Sequence, residues 1–257
     1  MEISIITYFI ACPIVFLAGF VDAIAGGGGL ISIPGYLIAG LPPVVASATN
    51  KISAGMGGAV SFTNYLRNRL VNIKLAVPSI IIAMLFSSIG AKVQTMIPED
   101  YLKIFMLVAL PVTMIIVLNK KSLEEKTKEN IKITKKVFLL SFLIAMIMGF
   151  YDGIYGPATG TFLLIFFVKI VGMNIKEANG IAKAINFATN VGALILFLSK
   201  GMALIKLGLI AGMFNMIGNY IGSTLFLKKG VNIARPIMII VMIIFIIKIL
   251  LELLHII

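Results

Sequence analysis

Two aspartates in strongly apolar sequence are the residues of this chain with the clearest chemical potential. Asp22 lies in the run GFVDAIAG, and Asp152 lies in the run GFYDGIYG, 130 positions later. A carboxylate at membrane depth costs about 2.5–3.5 kcal/mol to insert, so it needs a cation, a cavity or a proton. The duplicated motif therefore predicts carboxylates that either carry protons or cap the N–H groups of a following helix.

Each aspartate is followed by residues that can expose backbone N–H groups. Four consecutive glycines follow the first motif, and the sequence GPATG ends the second. The start of a helix carries about half a positive charge and open N–H donors, which together form a site for anions. Small residues also serve close helix packing, although four glycines in a row exceed that need. We therefore predict anion binding at Gly26, Gly27, Gly28 and Gly29 in the first copy and at Gly156, Thr159 and Gly160 in the second.

Two lysines occupy equivalent places in the two halves of the chain. Lys51 and Lys183 are 132 positions apart, and each stands inside an apolar segment. Asn186 and Asn190 follow Lys183 by three and seven residues, so the three side chains share one helix face. Lysines near helix ends often extend to the membrane surface, and polar faces often only join helices. A lysine within a polar face favours a cavity, so we predict substrate binding by Lys51, Lys183, Asn186 and Asn190.

The elements that carry these residues are predicted to be membrane-spanning helices. The chain of 257 residues is 60% hydrophobic and 12% charged, whereas an average soluble domain is about 25% charged. Its apolar runs are long and lack the alternation of barrel strands. The 22 Lys+Arg residues outnumber the 10 Asp+Glu residues, and they concentrate in connecting segments, where they orient a membrane protein rather than bind nucleic acid. We expect a multi-pass protein of the cell membrane, in contact with lipid and without a metal or cofactor.

The apolar segments form two series of five. The first comprises residues 3–21, 30–41, 44–66, 73–97 and 101–118, and the second comprises residues 137–151, 157–171, 178–199, 203–227 and 233–254. The second segment of each series is short: the twelve residues 30–41 reach only about 18 Å as a helix, against about 30 Å of hydrocarbon, and residues 157–171 are another short segment, which predicts half-helices. The predicted fold is all-α, with a first repeat at 1–118, a cytoplasmic Lys-rich linker at 119–136 and a second repeat at 137–257. Because five is odd, the repeats would be inverted.

Three segments resemble the TauE/SafE family of membrane permeases. They are AGFVDAIAGGGGLISIP at residues 18–34, ATNKISAGMGG at 48–58 and GFYDGIYGPATGTF at 149–162. The resemblance covers nearly the full chain and implies an inner-membrane transporter, in a family whose members include some linked to sulfite, sulfonates and related organosulfur anions. The replacement of GGGG by GPAT between the halves indicates that the two anion-binding segments differ.

The sequence therefore predicts a secondary transporter of a small anion that works by alternating access, and not an enzyme. It contains no nucleotide-binding P-loop, and no nucleophile–base set can be read from it. Coupling to protons through Asp22 and Asp152, the direction of transport and a homo-oligomeric state are left open. A passive anion channel could use the same glycines and lysines. A non-transporting membrane scaffold would use the motifs for packing alone, and a cation transporter would use the aspartates as ligands.

Overall fold

The computed structural model describes residues 4–118 and 133–229, and these ranges are helical without strands, as predicted. The helices are α1 (Ile5–Ala25), α2 (Gly29–Ile38), α3 (Pro43–Arg67), α4 (Ile73–Gln94), α5 (Glu99–Leu118), α6 (Lys135–Ile154), α7 (Thr159–Phe166), α8 (Ile175–Ser199) and α9 (Ile205–Lys229). A π-helical turn, Phe167–Val171, extends α7. Most of the predicted linker and the predicted segment 233–254 lie outside the described residues.

Both aspartates lie inside helices rather than after them. The predicted segments 3–21 and 137–151 stop before Asp22 and Asp152, but α1 continues to Ala25 and α6 to Ile154. Nothing in the sequence DAIA opposes helix, so α1 ends only at Gly26, whose φ of 74° lies in the left-handed region that glycine tolerates. Each carboxylate is therefore placed in the last turn of a helix.

The lengths and surfaces of the helices fit a membrane protein. Four of the described helices, α1, α4, α6 and α8, are long and apolar enough by length and composition to cross a membrane. Large apolar side chains face outward on several helices, among them Phe9, Ile81, Ile147 and Ile217. By contrast, α2 has 10 residues, and α7 has 8 with a further 5 in its π-helical turn, so the two segments span only about 15 Å and at most about 20 Å. These two are half-helices, as the short segments predicted.

The first half begins with a hairpin. The hydroxyl of Thr7, early in α1, donates a hydrogen bond to the carbonyl of Ala39, directly after α2. Helix α2 therefore runs back along α1 towards the end from which α1 started. Helix α3 then returns, and near its C-terminus the hydroxyl of Tyr65 donates to the carbonyl of Ala23, 2.9 Å away.

Each half packs its first helix against a late helix of the other half. Gly218 of α9 abuts Phe16 and Phe20 of α1, and Gly222, one turn later, abuts Phe20 and Ala23, so α1 and α9 run parallel. In each contact an added Cβ would collide with the neighbouring backbone. Glycines of this kind allow membrane helices to approach closely.

The first helix of the second half, α6, packs in the corresponding way against α4 of the first half. Gly149 abuts Ala83, and Gly153 abuts Ser87, so these helices also run parallel. At the centre, α3 and α8 cross in opposite directions: Gly55 contacts Asn190, and Gly58 contacts Phe187. A buried apolar core includes side chains from α1, α2, α6, α7 and α8.

Candidate functional site

The two helix breaks touch each other. The N–H of Thr161 donates to the carbonyl of Gly26 at 3.0 Å, and the hydroxyl of Thr161 donates to the carbonyl of Ala25 at 2.7 Å. A Cβ added to Gly160 would lie 2.8 Å from the Cα of Gly26, and a Cβ on Gly26 would collide with the backbone of Gly160. The N-termini of α2 and α7 are thereby held side by side.

Two largely buried ion pairs cross between the halves. The Nζ of Lys51 lies 2.6 Å from Oδ2 of Asp152 and 3.0 Å from the carbonyl oxygen of the same residue. Lys183 binds Asp22 in the same way, with its Nζ 2.7 Å from Oδ2 and also in contact with the carbonyl oxygen. The lysine of each half therefore neutralises the aspartate of the other half.

This arrangement compensates two unfavourable features of the broken helices. The last turn of a helix carries a negative partial charge, which disfavours Asp22 in α1 and Asp152 in α6. A lysine that contacts both the carboxylate and the carbonyl offsets the two negative charges at once. Asp22 has a further partner, because the N–H of Gly28 donates to its Oδ1 at 3.3 Å. Asp22 thus also caps the start of α2.

A cavity of about 20 Å³ lies where the breaks and the ion pairs meet. This volume is close to that needed for one water, so a polyatomic anion requires the cavity to widen. Most of the site residues predicted from sequence line the cavity, and the exceptions are Gly27 and Lys183. The lining residues among them are Asp22, Gly26, Gly28, Gly29, Lys51, Asp152, Gly156, Thr159, Gly160, Asn186 and Asn190. Gly27 is buried in the break itself, and Lys183 lies behind Asp22.

Four further residues complete the cavity wall. Asn215 reaches it from α9, and Ser32, Asn50 and Ala54 reach it from the first half. Ser32 stands one turn after Gly28 and donates to its carbonyl. Asn50 is 5% exposed, and its Oδ1 has no hydrogen-bond partner among the described residues. A polar residue beside Lys51 in an apolar segment is a signal that sequence reasoning could have used.

The cavity wall is rich in hydrogen-bond donors. The N–H groups of Gly29 and Gly160 have no acceptor within residues 4–118 and 133–229, as expected for the first turns of α2 and α7. Oδ1 of Asn186 accepts from Nδ2 of Asn190 at 3.1 Å, so the Asn186 amide nitrogen is left beside Gly160. Lys51 uses two of its three N–H donors on Asp152, which leaves the third.

The formal charges at the site cancel. Two ammonium groups face two carboxylates, and the partial positive charges at the N-termini of α2 and α7 stand against the partial negative charges at the C-termini of α1 and α6. Open N–H groups, one free ammonium proton and an amide together form a donor set suited to an oxyanion.

Similarity to known proteins shows the family to which the chain belongs. The family described as Sulfite exporter TauE/SafE matches residues 11–249. The chain belongs to this family. It is 36% identical to the Probable membrane transporter protein ORF9 of Sinorhizobium sp over 243 residues, which cover 93% of this chain and 91% of the relative.

Other relatives of the TauE/SafE family have the same kind of name. A Probable membrane transporter protein of Haemophilus influenzae is 34% identical over 93% of both chains. The Probable membrane transporter protein YfcA of Escherichia coli strain K12 is 35% identical over 92% of this chain and 85% of its own. No solved structure matches. This TauE/SafE protein is accordingly a multi-pass protein of the cell membrane from a family of transporters.

Proposed function

We propose that this protein is a secondary transporter of small anions, of the sulfite and sulfonate class, that works by alternating access. One observation carries the proposal: the N-termini of α2 and α7 and the ammonium of Lys51 converge on one cavity between the two halves. Free N–H donors at helix N-termini favour negative charge, and buried donors without acceptors are costly unless a ligand or water meets them.

The packing of the helices supports inverted repeats. Helices α3 and α8 are equivalent at a sequence offset of 132, and they run antiparallel. Exchanging the halves converts the contact Gly55–Asn190 into the contact Gly58–Phe187, which is also present. A two-fold axis that relates antiparallel helices is perpendicular to them, so it lies in the membrane plane when the helices cross the membrane.

The distribution of charge supports an orientation with the Lys-rich linker in the cytoplasm. Arg67 is the last residue of α3, Arg69 follows in the loop, and Lys74 lies in the first turn of α4 at the same end of the protein. Gly180 of α8 packs against Leu70, which brings the start of α8 to that end as well. An excess of Lys and Arg in short loops marks the cytoplasmic side.

The small volume of the cavity favours a carrier over a channel. A passive channel needs a continuous open path, whereas a cavity of about 20 Å³ between the two halves suits a carrier whose site is narrow in this state and widens as it opens to one side at a time. Both ion pairs join one half to the other, so a movement of the halves would alter the geometry of both pairs.

The substrate class follows from the donor set and the family. Sulfite and sulfonates present three oxygen acceptors around sulfur, which suits donors that converge from two helix N-termini, an amide and an ammonium. The family description names sulfite, whereas the names of the relatives give no substrate.

The test is counterflow in proteoliposomes. Purified protein is reconstituted with unlabelled anion inside, and uptake of labelled sulfite, methanesulfonate, thiosulfate, sulfate and a simple carboxylate is compared. We expect trapped sulfite or sulfonate to accelerate uptake of the labelled anion, because a carrier exchanges its substrate. Uptake that is independent of trapped anion would indicate a channel, and exchange of none of these anions would overturn the proposal.

A further inference from the structure

The two ion pairs are related by the repeat but differ in their relation to the cavity. Both members of the Lys51–Asp152 pair line the cavity, whereas only Asp22 of the Lys183–Asp22 pair does. The side chain of Asp22 is 16% exposed and that of Lys183 is 1% exposed, against 3% for Asp152 and 5% for Lys51. In one pair the cation reaches the cavity, and in the other the most accessible group is the carboxylate.

Lys51 is the cation placed to bind an anion. Its ammonium lies at the cavity wall beside Gly156, and one of its three N–H donors is not used by Asp152. An anion can therefore bind the ammonium without displacing the carboxylate. The ammonium of Lys183 has the same two contacts, but it lies behind Asp22 and outside the cavity wall.

Asp22 is the carboxylate placed to take up a proton. Its Oδ2 is held by Lys183, while its Oδ1 has only the 3.3 Å bond from Gly28. The charged and titratable groups around it are Lys183 from α8, Tyr65 from α3, which bonds to Ala23, and Lys51 with Asp152 across the cavity. The parts of α2 and α9 that line the same cavity contribute Gly29, Ser32 and Asn215, none of which titrates.

Charge balance connects the two roles. The four charges cancel in the resting site, so a bound monovalent anion leaves one net negative charge in a water-poor interior, which is unfavourable. One proton on Asp22 restores neutrality. Resting on the proposed function, we propose that the ion pairs divide the work: Lys51, oriented by Asp152, binds the anion, and Asp22, held by Lys183, takes up the one proton that accompanies it.

Charge-balanced double variants test this division of work. Replacing both members of a buried pair with neutral residues of similar shape avoids an isolated buried charge. Asp22→Asn with Lys183→Met removes the proposed proton acceptor, and Asp152→Asn with Lys51→Met removes the proposed anion ligand. Labelled methanesulfonate is the probe, because it carries no proton near neutral pH and a pH gradient cannot act through its own titration.

Each double variant is assayed for counterflow at equal pH and for accumulation driven by a pH gradient. We expect the Asp22/Lys183 variant to lose pH-driven accumulation and counterflow, because its site can no longer balance the charge of a bound anion. Asp22→Asn alone keeps Lys183 and so has the charge of the protonated site, and we expect its counterflow to exceed that of the Asp22/Lys183 variant at least about tenfold while pH-driven accumulation stays absent. We expect the Asp152/Lys51 variant to lose counterflow by at least about tenfold, because the charged donor is gone. Persistent pH-driven accumulation in the first variant, or unimpaired counterflow in the second, would overturn the division of work.

Two further measurements keep the inference testable if a double variant fails to fold. Asp22→Glu retains a carboxylate and should retain pH-driven accumulation. Wild-type protein in weakly buffered detergent should take up one proton for each methanesulfonate bound, and binding without proton uptake would contradict the assignment. Absence of all anion counterflow in the wild type would instead overturn the proposed function.

Discussion

The two helix breaks form similar structures from different residues. The first follows Asp22 with four glycines, of which only Gly26 has a positive φ, 74°. The second has the sequence Gly-Pro-Ala-Thr, and both Gly156 and Ala158 have positive φ, 89° and 64°. The difference shows that no fixed glycine count is required, because the breaks must only end one helix, begin the next and allow Gly26 to meet Gly160.

The largest expected effect comes from filling the contact between the breaks. Gly26→Ala would place a Cβ against the backbone of Gly160 and Thr161 at a positive φ. Because backbone cannot move aside as a side chain can, we expect a loss of about 4 kcal/mol or more of folding free energy. Size-exclusion chromatography after stepwise heating in detergent measures the loss.

Gly40→Ala is the matched control for this substitution. Gly40 has a φ of 89°, but no atom lies within 4 Å of an added Cβ. It should therefore show only the conformational cost of a left-handed alanine, about 1 kcal/mol. Equal melting temperatures for the two variants would show that the missing side chain of Gly26 is not needed for the close contact between the two helix breaks.

A smaller effect distinguishes the two ion pairs. Lys51→Met leaves Asp152 with a side chain that is 3% exposed, so we expect a loss of about 3 kcal/mol. Lys183→Met leaves Asp22 at 16% exposure and still bonded to Gly28, so the loss should be smaller. Thermal stability in detergent is the measurement, and a larger loss for Lys183→Met would contradict the difference in burial.

The smallest effect concerns the hydrogen bond between the breaks. Thr161→Val preserves shape but removes the hydroxyl that donates to Ala25, which should cost about 1 kcal/mol. Thr63→Val is the control, because the exposed Thr63 hydroxyl bonds only to Ala59 in its own helix. Equal melting temperatures for Thr161→Val and Thr63→Val would show that the hydrogen bond from Thr161 to Ala25 does not help to hold the two halves in contact.

Much of the fold and of the cavity wall could be predicted from the sequence. The length of an apolar segment decides whether it can span hydrocarbon, so the half-helices were recognisable. Asp22 and Asp152 are recognisable because charged residues are rare in apolar segments. Lys51 and Lys183 are recognisable because they are separated by the same number of positions as the other matching residues of the repeat. These signals depend on composition and spacing, which a single chain displays directly.

The pairing of the charges could not be predicted in the same way. The sequence predicts the lysines as anion ligands and the aspartates as caps or proton carriers, but the structure joins each lysine to the aspartate of the opposite half. That partnership depends on the antiparallel crossing of α3 and α8, which no local pattern contains. The placement of Lys183 behind Asp22, away from the cavity, has the same origin.

The central claim is that the N-termini of both half-helices and Lys51 bind one oxyanion. Selenite, the selenium analogue of sulfite, tests it directly through anomalous diffraction from crystals of the protein grown with the anion. We expect a selenium peak between Gly29 and Gly160, with oxygen atoms within hydrogen-bond distance of the Lys51 ammonium. A peak at another place, or none there at saturating selenite, would contradict it.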